Sequence, residues 1–220
     1  MKHGVMKRLA GMAGAAVLLS SLLSACVGPL LVGGAMVGGT LLAVDRRSSG
    51  AQLDDEALEL RAAHQIRSKL GARVRTNVTS FNRQVLLTGE VPNLQDKQRV
   101  EDVVKSVESV ASVVNELAVL NSPSLMDRSA DTLLTGRVKA MLLDARDLQS
   151  NAFKIVTERN TVYLMGRVTQ READRATEVV RGTTGVQKVV RLLEIISEQE
   201  LQKLGTVPDA SAQPAASVKL

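Results

Sequence analysis

A chain of 220 residues with 45% hydrophobic and 23% charged side chains has room for one ordinary domain or two small ones, and is too apolar to be disordered throughout. Two Phe, one Tyr and no Trp leave Val, Leu, Ile and Met to build any core. One cysteine and two histidines exclude Cys-rich metal sites, and the formal charge of +5 is inflated by the N-terminus.

Residues 1–25 read as an export signal. Lys2, Lys7 and Arg8 form a positive start, Leu9 to Leu23 an apolar run, and Ser24-Ala25 a small-residue cleavage site. Leu23-Ser24-Ala25-Cys26 resembles the bacterial lipobox, in which cleavage falls just before a lipidated cysteine. The resemblance implies a covalent diacylglycerol and an N-acyl chain on Cys26, and no other cofactor. Two or more chains anchor stably where one does not. Val27 follows the cysteine, whereas Asp there is the usual inner-membrane retention signal, so the expected location is the periplasmic face of the outer membrane. Cleavage removes three basic residues and no acidic one, leaving about +2, so a nucleic-acid partner is not expected.

Residues 27–44 are apolar and about long enough to span a bilayer. Gly28, Gly33, Gly34, Gly38, Gly39 and Pro29 argue against a spanning helix, at roughly 1 kcal/mol per glycine. Residues 26–53 are therefore expected to form a lipidated, flexible or membrane-apposed tether that continues through Asp45 to Gln52.

An internal duplication follows. "VLLTGEV" (Val85 to Val91) matches "VYLMGRV" (Val162 to Val168) at an offset of 77, and "SVASVVNEL" aligns with "GVQKVVRLL". In the first copy, Leu58, Ala62, Ile66 and Leu70 mark a helix behind the acidic start Asp54-Asp55-Glu56. A hairpin follows, Val78 to Phe81 and Gln84 to Val91 about a turn at Asn82-Arg83. Val100, Val103, Val104 and Val107 mark a second helix, and Val113 to Val119 a closing strand. In the second copy the helix runs from about Ser129 to Leu143, with Leu134, Val138, Met141 and Leu142 on one face. Its hairpin joins Lys154–Thr157 to Thr161–Val168 through Glu158-Arg159-Asn160. Thr169 to Glu172 is a capping box opening a helix with Ala173, Ala176 and Val180 inward, and Val186 to Ile196 is the closing strand. The fold class is α+β: tandem small domains at 54–122 and 127–196, each α-β-β-α-β, with two helices on one face of a three-stranded mixed sheet. Residues 197–220, rich in Ala, Ser and Pro, read as a disordered tail.

The element order, the central "L-x-G-x-V" and the later "(G/S)-V-x-x-V-V" resemble the BON domain, a module of bacterial periplasmic and outer-membrane proteins. Two copies behind a lipobox resemble the dual-BON outer-membrane lipoproteins over about residues 22 to 196. Gly89 and Gly166 occupy matching places near the end of the second strand, where close packing or a bulge favours glycine, with ligand approach as the alternative.

No phosphate-binding loop, nucleophile elbow or zinc motif is present, and no enzyme activity is expected. The acidic pairs Asp54-Asp55 and Asp144/Asp147 read as helix-end and solvated charges, and His64 as a surface or boundary residue. Binding is the remaining role. Residues 54–122 sum to −1 and residues 127–196 to +3, which directs an anionic partner to the second copy. Leu133 and Leu143 fall off the core stripe of its first helix, beside Arg137 and Lys139, in the manner of an interfacial helix. The same leucines could instead pack on the other repeat or on the linker 121–126. The equivalent helix of the first copy is polar outside its core stripe, with Leu60 the main exception. The resemblance implies that Leu133, Leu134, Arg137, Val138, Lys139 and Met141 bind anionic phospholipids such as phosphatidylglycerol and cardiolipin. The implied role is upkeep of outer-membrane integrity, with division sites as a candidate location. Relatives can carry an aromatic where this chain has Leu133, which bears on affinity. The alternative partner is a protein of an outer-membrane assembly.

Overall fold

The computed structural model describes residues 45–120 and 125–205. The signal, Cys26, residues 27–44, the linker 121–124 and the tail from 206 lie outside the described residues. No described helix is long and apolar enough to cross a membrane.

The first domain opens with α1 (Ser49–Leu70), N-capped by the Ser48 hydroxyl, which accepts from the Ala51 N–H. It continues through β1 (Arg75–Phe81), β2 (Gln84–Val91), α2 (Leu94–Lys105), β3 (Ser112–Asn115) and β4 (Ala118–Val119). β1 pairs antiparallel with β2, and β3 and β4 pair with β2 in parallel, so the closing strand is broken at Glu116-Leu117. The second domain repeats the order with α3 (Leu125–Asp144), β5 (Phe153–Glu158), β6 (Thr161–Thr169), α4 (Gln170–Arg181) and β7 (Lys188–Ile196). Here β7 runs unbroken beside β6 over nine residue pairs. The expected capping box is present: Thr169 Oγ1 accepts from the Glu172 N–H, while a Glu172 carboxylate oxygen accepts from the Thr169 N–H.

Each domain buries its helices against one face of its sheet. Leu58, Ala62, Ile66 and Leu70 meet Val85, Leu87, Val91, Val100 and Val104 in the first. Leu134, Val138 and Leu142 meet Val162, Leu164, Val168, Ala173, Ala176 and Val180 in the second. The other faces of the two sheets meet each other. Phe81 and Leu86 of the first domain pack with Tyr163 and Met165 of the second, flanked by Val114, Val156, Val190 and Leu192. β2 and β6 are thus buried on both sides, the environment that explains their near-continuous apolar runs. Polar pairs rim this junction: Lys154–Glu59 at 2.7 Å, Arg75–Glu158 at 3.1 Å, and Asn82 donating to Glu194 at 2.7 Å. The Tyr163 hydroxyl donates to Glu116 (3.3 Å), and burial together with that carboxylate pushes its pKa up, so it stays a donor.

Several sequence expectations are corrected. The tether does not run to residue 53: α1 begins at Ser49, and Arg46 and Arg47 are bonded into the folded body. Asp54-Asp55 is therefore not a helix start, and Asp55 is buried rather than solvated. Met141 is 45% exposed and Leu142 takes the core position, because the i, i+4, i+8 stripe from Leu134 and Val138 runs to 142. Glu158 belongs to β5, leaving the two-residue turn Arg159-Asn160. The assigned tail begins with a helix, α5 (Glu198–Gly205), tied back by the ion pair from Arg167 of β6 to Glu200.

One device recurs in both domains. The hairpin turns Asn82-Arg83 and Arg159-Asn160 have positive φ at both residues, the backbone of a type I′ turn. Their N–H groups point back at a helix carboxylate: Asn82 and Arg83 donate to Asp55 at 2.6 and 2.8 Å, Arg159 and Asn160 to Asp131 at 2.7 and 3.0 Å. An acid in the first helix thereby fixes where the hairpin tip lands on it.

Candidate functional site on the outward face of α3

Two clefts among the described residues, beside Asp174 and Arg191 and beside Lys69 and Arg73, are open and lined mainly by charged side chains. A surface is therefore the better place to look for binding. On α3, Leu134, Val138 and Leu142 point inward, and 100° per residue places Leu133, Gly136, Ala140 and Leu143 along the opposite side. Leu133 is 64% and Leu143 67% exposed. Arg137 and Lys139 are exposed on the two flanks of this ridge. Arg137 Nη1 donates to the Thr184 carbonyl (3.4 Å), which places its charge beside the loop after α4. That loop approaches closely because Gly185 has φ +102 and no side chain: a Cβ there would lie 3.3 Å from Leu134 Cδ1 and 3.5 Å from Arg137 Nη1. Asp144 closes the ridge at its C-terminal end, and Asp147 is engaged by Arg175 at 3.0 Å.

The structure thus separates the six expected lipid-facing residues. Leu133, Arg137, Lys139 and Met141 are accessible; Leu134 and Val138 are 2% and 0% exposed and support the helix from within. No lipid reaches those two without unpacking the core. Leu143 stands with Leu133 on the outer side, and Gly136 and Ala140 complete the ridge; the helical wheel was the signal that could have found those two. In the first domain α1 exposes Leu53 (66%) as well as Leu60 (69%), so outward leucines are not peculiar to the second copy. The local charge differs: Asp54 and Glu56 are exposed beside Leu53, where α3 has Arg137 and Lys139 beside Leu133.

Gly89 and Gly166 lie away from this surface, each facing the first strand of its own sheet. An added Cβ would meet the Arg75 carbonyl oxygen at 2.2 Å and the Ala152 carbonyl oxygen at 2.4 Å, and Gly89 also has φ +114.

Two packed α-β-β-α-β units define a tandem α+β repeat, and the chain belongs to the BON-domain family: the BON domain model matches residues 59–121 and 130–197. It is a dual-BON, DolP-like protein. It is 34% identical over 194 residues to the "Outer membrane lipoprotein DolP" of Haemophilus influenzae, covering 87% of this chain and 97% of that protein. It is 32% identical over 155 residues to a "21 kDa hemolysin" of Actinobacillus pleuropneumoniae, covering 70% and 80%. The "Osmotically-inducible protein Y" of Escherichia coli is 29% identical over 118 residues, covering 51% and 59%.

Electrostatics contributes to stability at two buried carboxylates. Burial opposes ionisation of Asp55, but the Ser80 hydroxyl, Arg83 and Asn82 N–H groups and Arg47 outweigh it and hold its pKa below the ordinary value. Burial also opposes ionisation of Glu172, where Arg46 and the Thr169 N–H and hydroxyl prevail in the same direction. Both groups bind protons less readily folded than unfolded. Their stabilisation is complete above the ordinary carboxylate range, about pH 4–5, and is lost as pH falls through the lowered values. Thermal melts should therefore hold a steady midpoint from about pH 6 to 8 and fall steeply below about pH 4. Asp55→Asn should lower the neutral midpoint and flatten the acid limb; an unchanged acid limb would remove Asp55 from the explanation.

Proposed function

We propose that the chain is a non-enzymatic outer-membrane lipoprotein, held at the periplasmic face by acyl chains on Cys26, whose second BON domain binds anionic phospholipid through α3 and helps maintain outer-membrane integrity. The observation that carries the lipid reading is the ridge of Leu133, Gly136, Ala140 and Leu143 standing out from the core between Arg137 and Lys139. Leucines of this kind enter the acyl boundary while the flanking cations meet lipid phosphate. The outer-membrane assignment is supported by the name of the Haemophilus relative, whose length this chain covers almost entirely.

Flotation of the non-acylated chain with vesicles tests the reading. Binding is expected to phosphatidylglycerol or cardiolipin vesicles and to weaken as salt is added. Leu133→Asp and Arg137→Glu should each reduce it by about tenfold or more, since one buried leucine contributes roughly 2 kcal/mol and each cation about 1 kcal/mol. Equal affinity for zwitterionic and anionic vesicles would sink it. A second reading, a protein-docking role within an envelope assembly, is favoured by Leu53 and Leu60 on the outer face of α1, among the exposed charges Asp54, Glu56, Arg61 and Arg67. Under that reading Leu60→Asp abolishes capture of a protein partner while leaving vesicle binding intact.

A further inference from the structure

Arg46 lies 20 residues beyond Cys26 and outside both stretches matched by the BON model. It is nevertheless one of the most deeply engaged cations among the described residues. Its Nη1 and Nη2 each donate at 2.7 Å to a different oxygen of Glu172, with side chains 5% and 4% exposed. Nη1 also donates to the Arg167 carbonyl (3.0 Å) and Nη2 to the Gln149 side-chain oxygen (3.2 Å). All three partners belong to the second domain: Gln149 just past the end of α3, Arg167 in β6 and Glu172 in the capping box of α4.

The next residue turns the other way. Arg47 Nη1 donates to Asp55 at 2.6 Å, and its guanidinium stands 4.2 Å over the ring of Phe81. Asp45 braces it with a second carboxylate at 2.5 Å. Asp55 holds the hairpin tip of the first domain, and Phe81 belongs to the apolar cluster between the sheets. Two consecutive arginines thus bind one domain each.

We infer that Asp45-Arg46-Arg47 is a clasp that locks the two domains sheet to sheet, so that Arg46 is a positioning residue for the second domain although it precedes the first. Breaking a buried ion pair by removing one partner strands the other in a low-dielectric site, and the fault is felt across the joint rather than within one domain. The clasp also places the start of the described chain: Arg46 meets the second domain next to the end of α3. The inference concerns domain docking in solution and does not rest on the lipid reading, so either can fail alone.

The experiment measures the distance between the domains directly. In the full chain with Cys26→Ser, cysteines at exposed Arg61 of α1 and Ala140 of α3 carry spin labels for pulsed distance measurement. A single narrow distribution is expected. Arg46→Glu should add a broad, longer population, shifting the docked-to-open ratio by about a hundredfold, whereas Arg46→Lys, which keeps a cation beside Glu172, should stay closer to the narrow one. Arg46→Gln with Glu172→Gln strands no charge, keeps both domains folded by circular dichroism, and should still open the joint. A narrow distribution in that neutral pair, or in Arg46→Glu, would overturn the clasp.

Discussion

Gly89→Ala should cost the first domain about 2–5 kcal/mol, combining roughly 1–3 for overpacking with 1–2 for a side chain at positive φ. The new Cβ would sit 2.2 Å from the Arg75 carbonyl oxygen, 3.1 Å from the carbon of that carbonyl and 3.2 Å from the Thr76 Cα. All three are backbone atoms of β1, whose register is fixed by seven residue pairs with β2. No rotamer change relieves such a contact; the strand itself must move. Arg75 is also the donor to Glu90 at 2.5 Å and Glu158 at 3.1 Å, so displacing β1 disturbs the joint between the domains. Gly166→Ala should be nearly as harmful, because its Cβ would stand 2.4 Å from the Ala152 carbonyl oxygen. Urea melts followed by circular dichroism measure the loss, and the fluorescence of Tyr163, the only tyrosine, reports the interface alongside. Wild-type stability in both variants would show that the strands accommodate a methyl group and that these glycines serve another purpose.

Asp55→Ala should be comparably severe, at about 3–5 kcal/mol, the cost of removing one partner from a buried charged network. Asp55 is 1% exposed and accepts from the Asn82 and Arg83 N–H groups, the Ser80 hydroxyl at 2.6 Å and Arg47. The substitution leaves two turn amides, a hydroxyl and the Nη1 of Arg47 without this acceptor, although Arg47 keeps Asp45. Its counterpart Asp131 accepts from the two turn amides, Arg159 and Asn160, and is more exposed at 9%. Asp131→Ala should therefore cost less, about 2 kcal/mol, the desolvation penalty of the orphaned amides. The ordering is the informative result. Comparable losses in chemical denaturation would mean that the turn amides alone account for the effect and that Arg47 and Ser80 add little. Because Arg47 also belongs to the clasp, Asp55→Ala should widen the interdomain distance distribution as well, whereas Asp131→Ala should leave it narrow.

The order of elements was legible in the sequence because each depends on neighbours in the chain. The stripe Leu58, Ala62, Ile66, Leu70 and the capping box Thr169–Glu172 are read within one helix, and the duplication checks each element against its copy. The candidate site was legible in part. Its flanking cations and Leu133 were found, but Leu134 and Val138 were joined to them although they face the core. Family resemblance marks a helix as a whole, while access to a ligand is decided by the side of that helix.

What the sequence determined by itself is local: two α-β-β-α-β units, their caps and turns, and an N-terminal pattern that resembles a lipoprotein signal. Only the tertiary structure decided that the sheets pack back to back, that Asp55 is a buried acceptor rather than a solvated charge, and that Arg46 binds Glu172 across 126 residues. Each of those outcomes joins groups far apart in the chain. Periodicity reports which face of an element is apolar, and for β2 and β6 it reports that both are; it carries no information about which distant surface covers the second face.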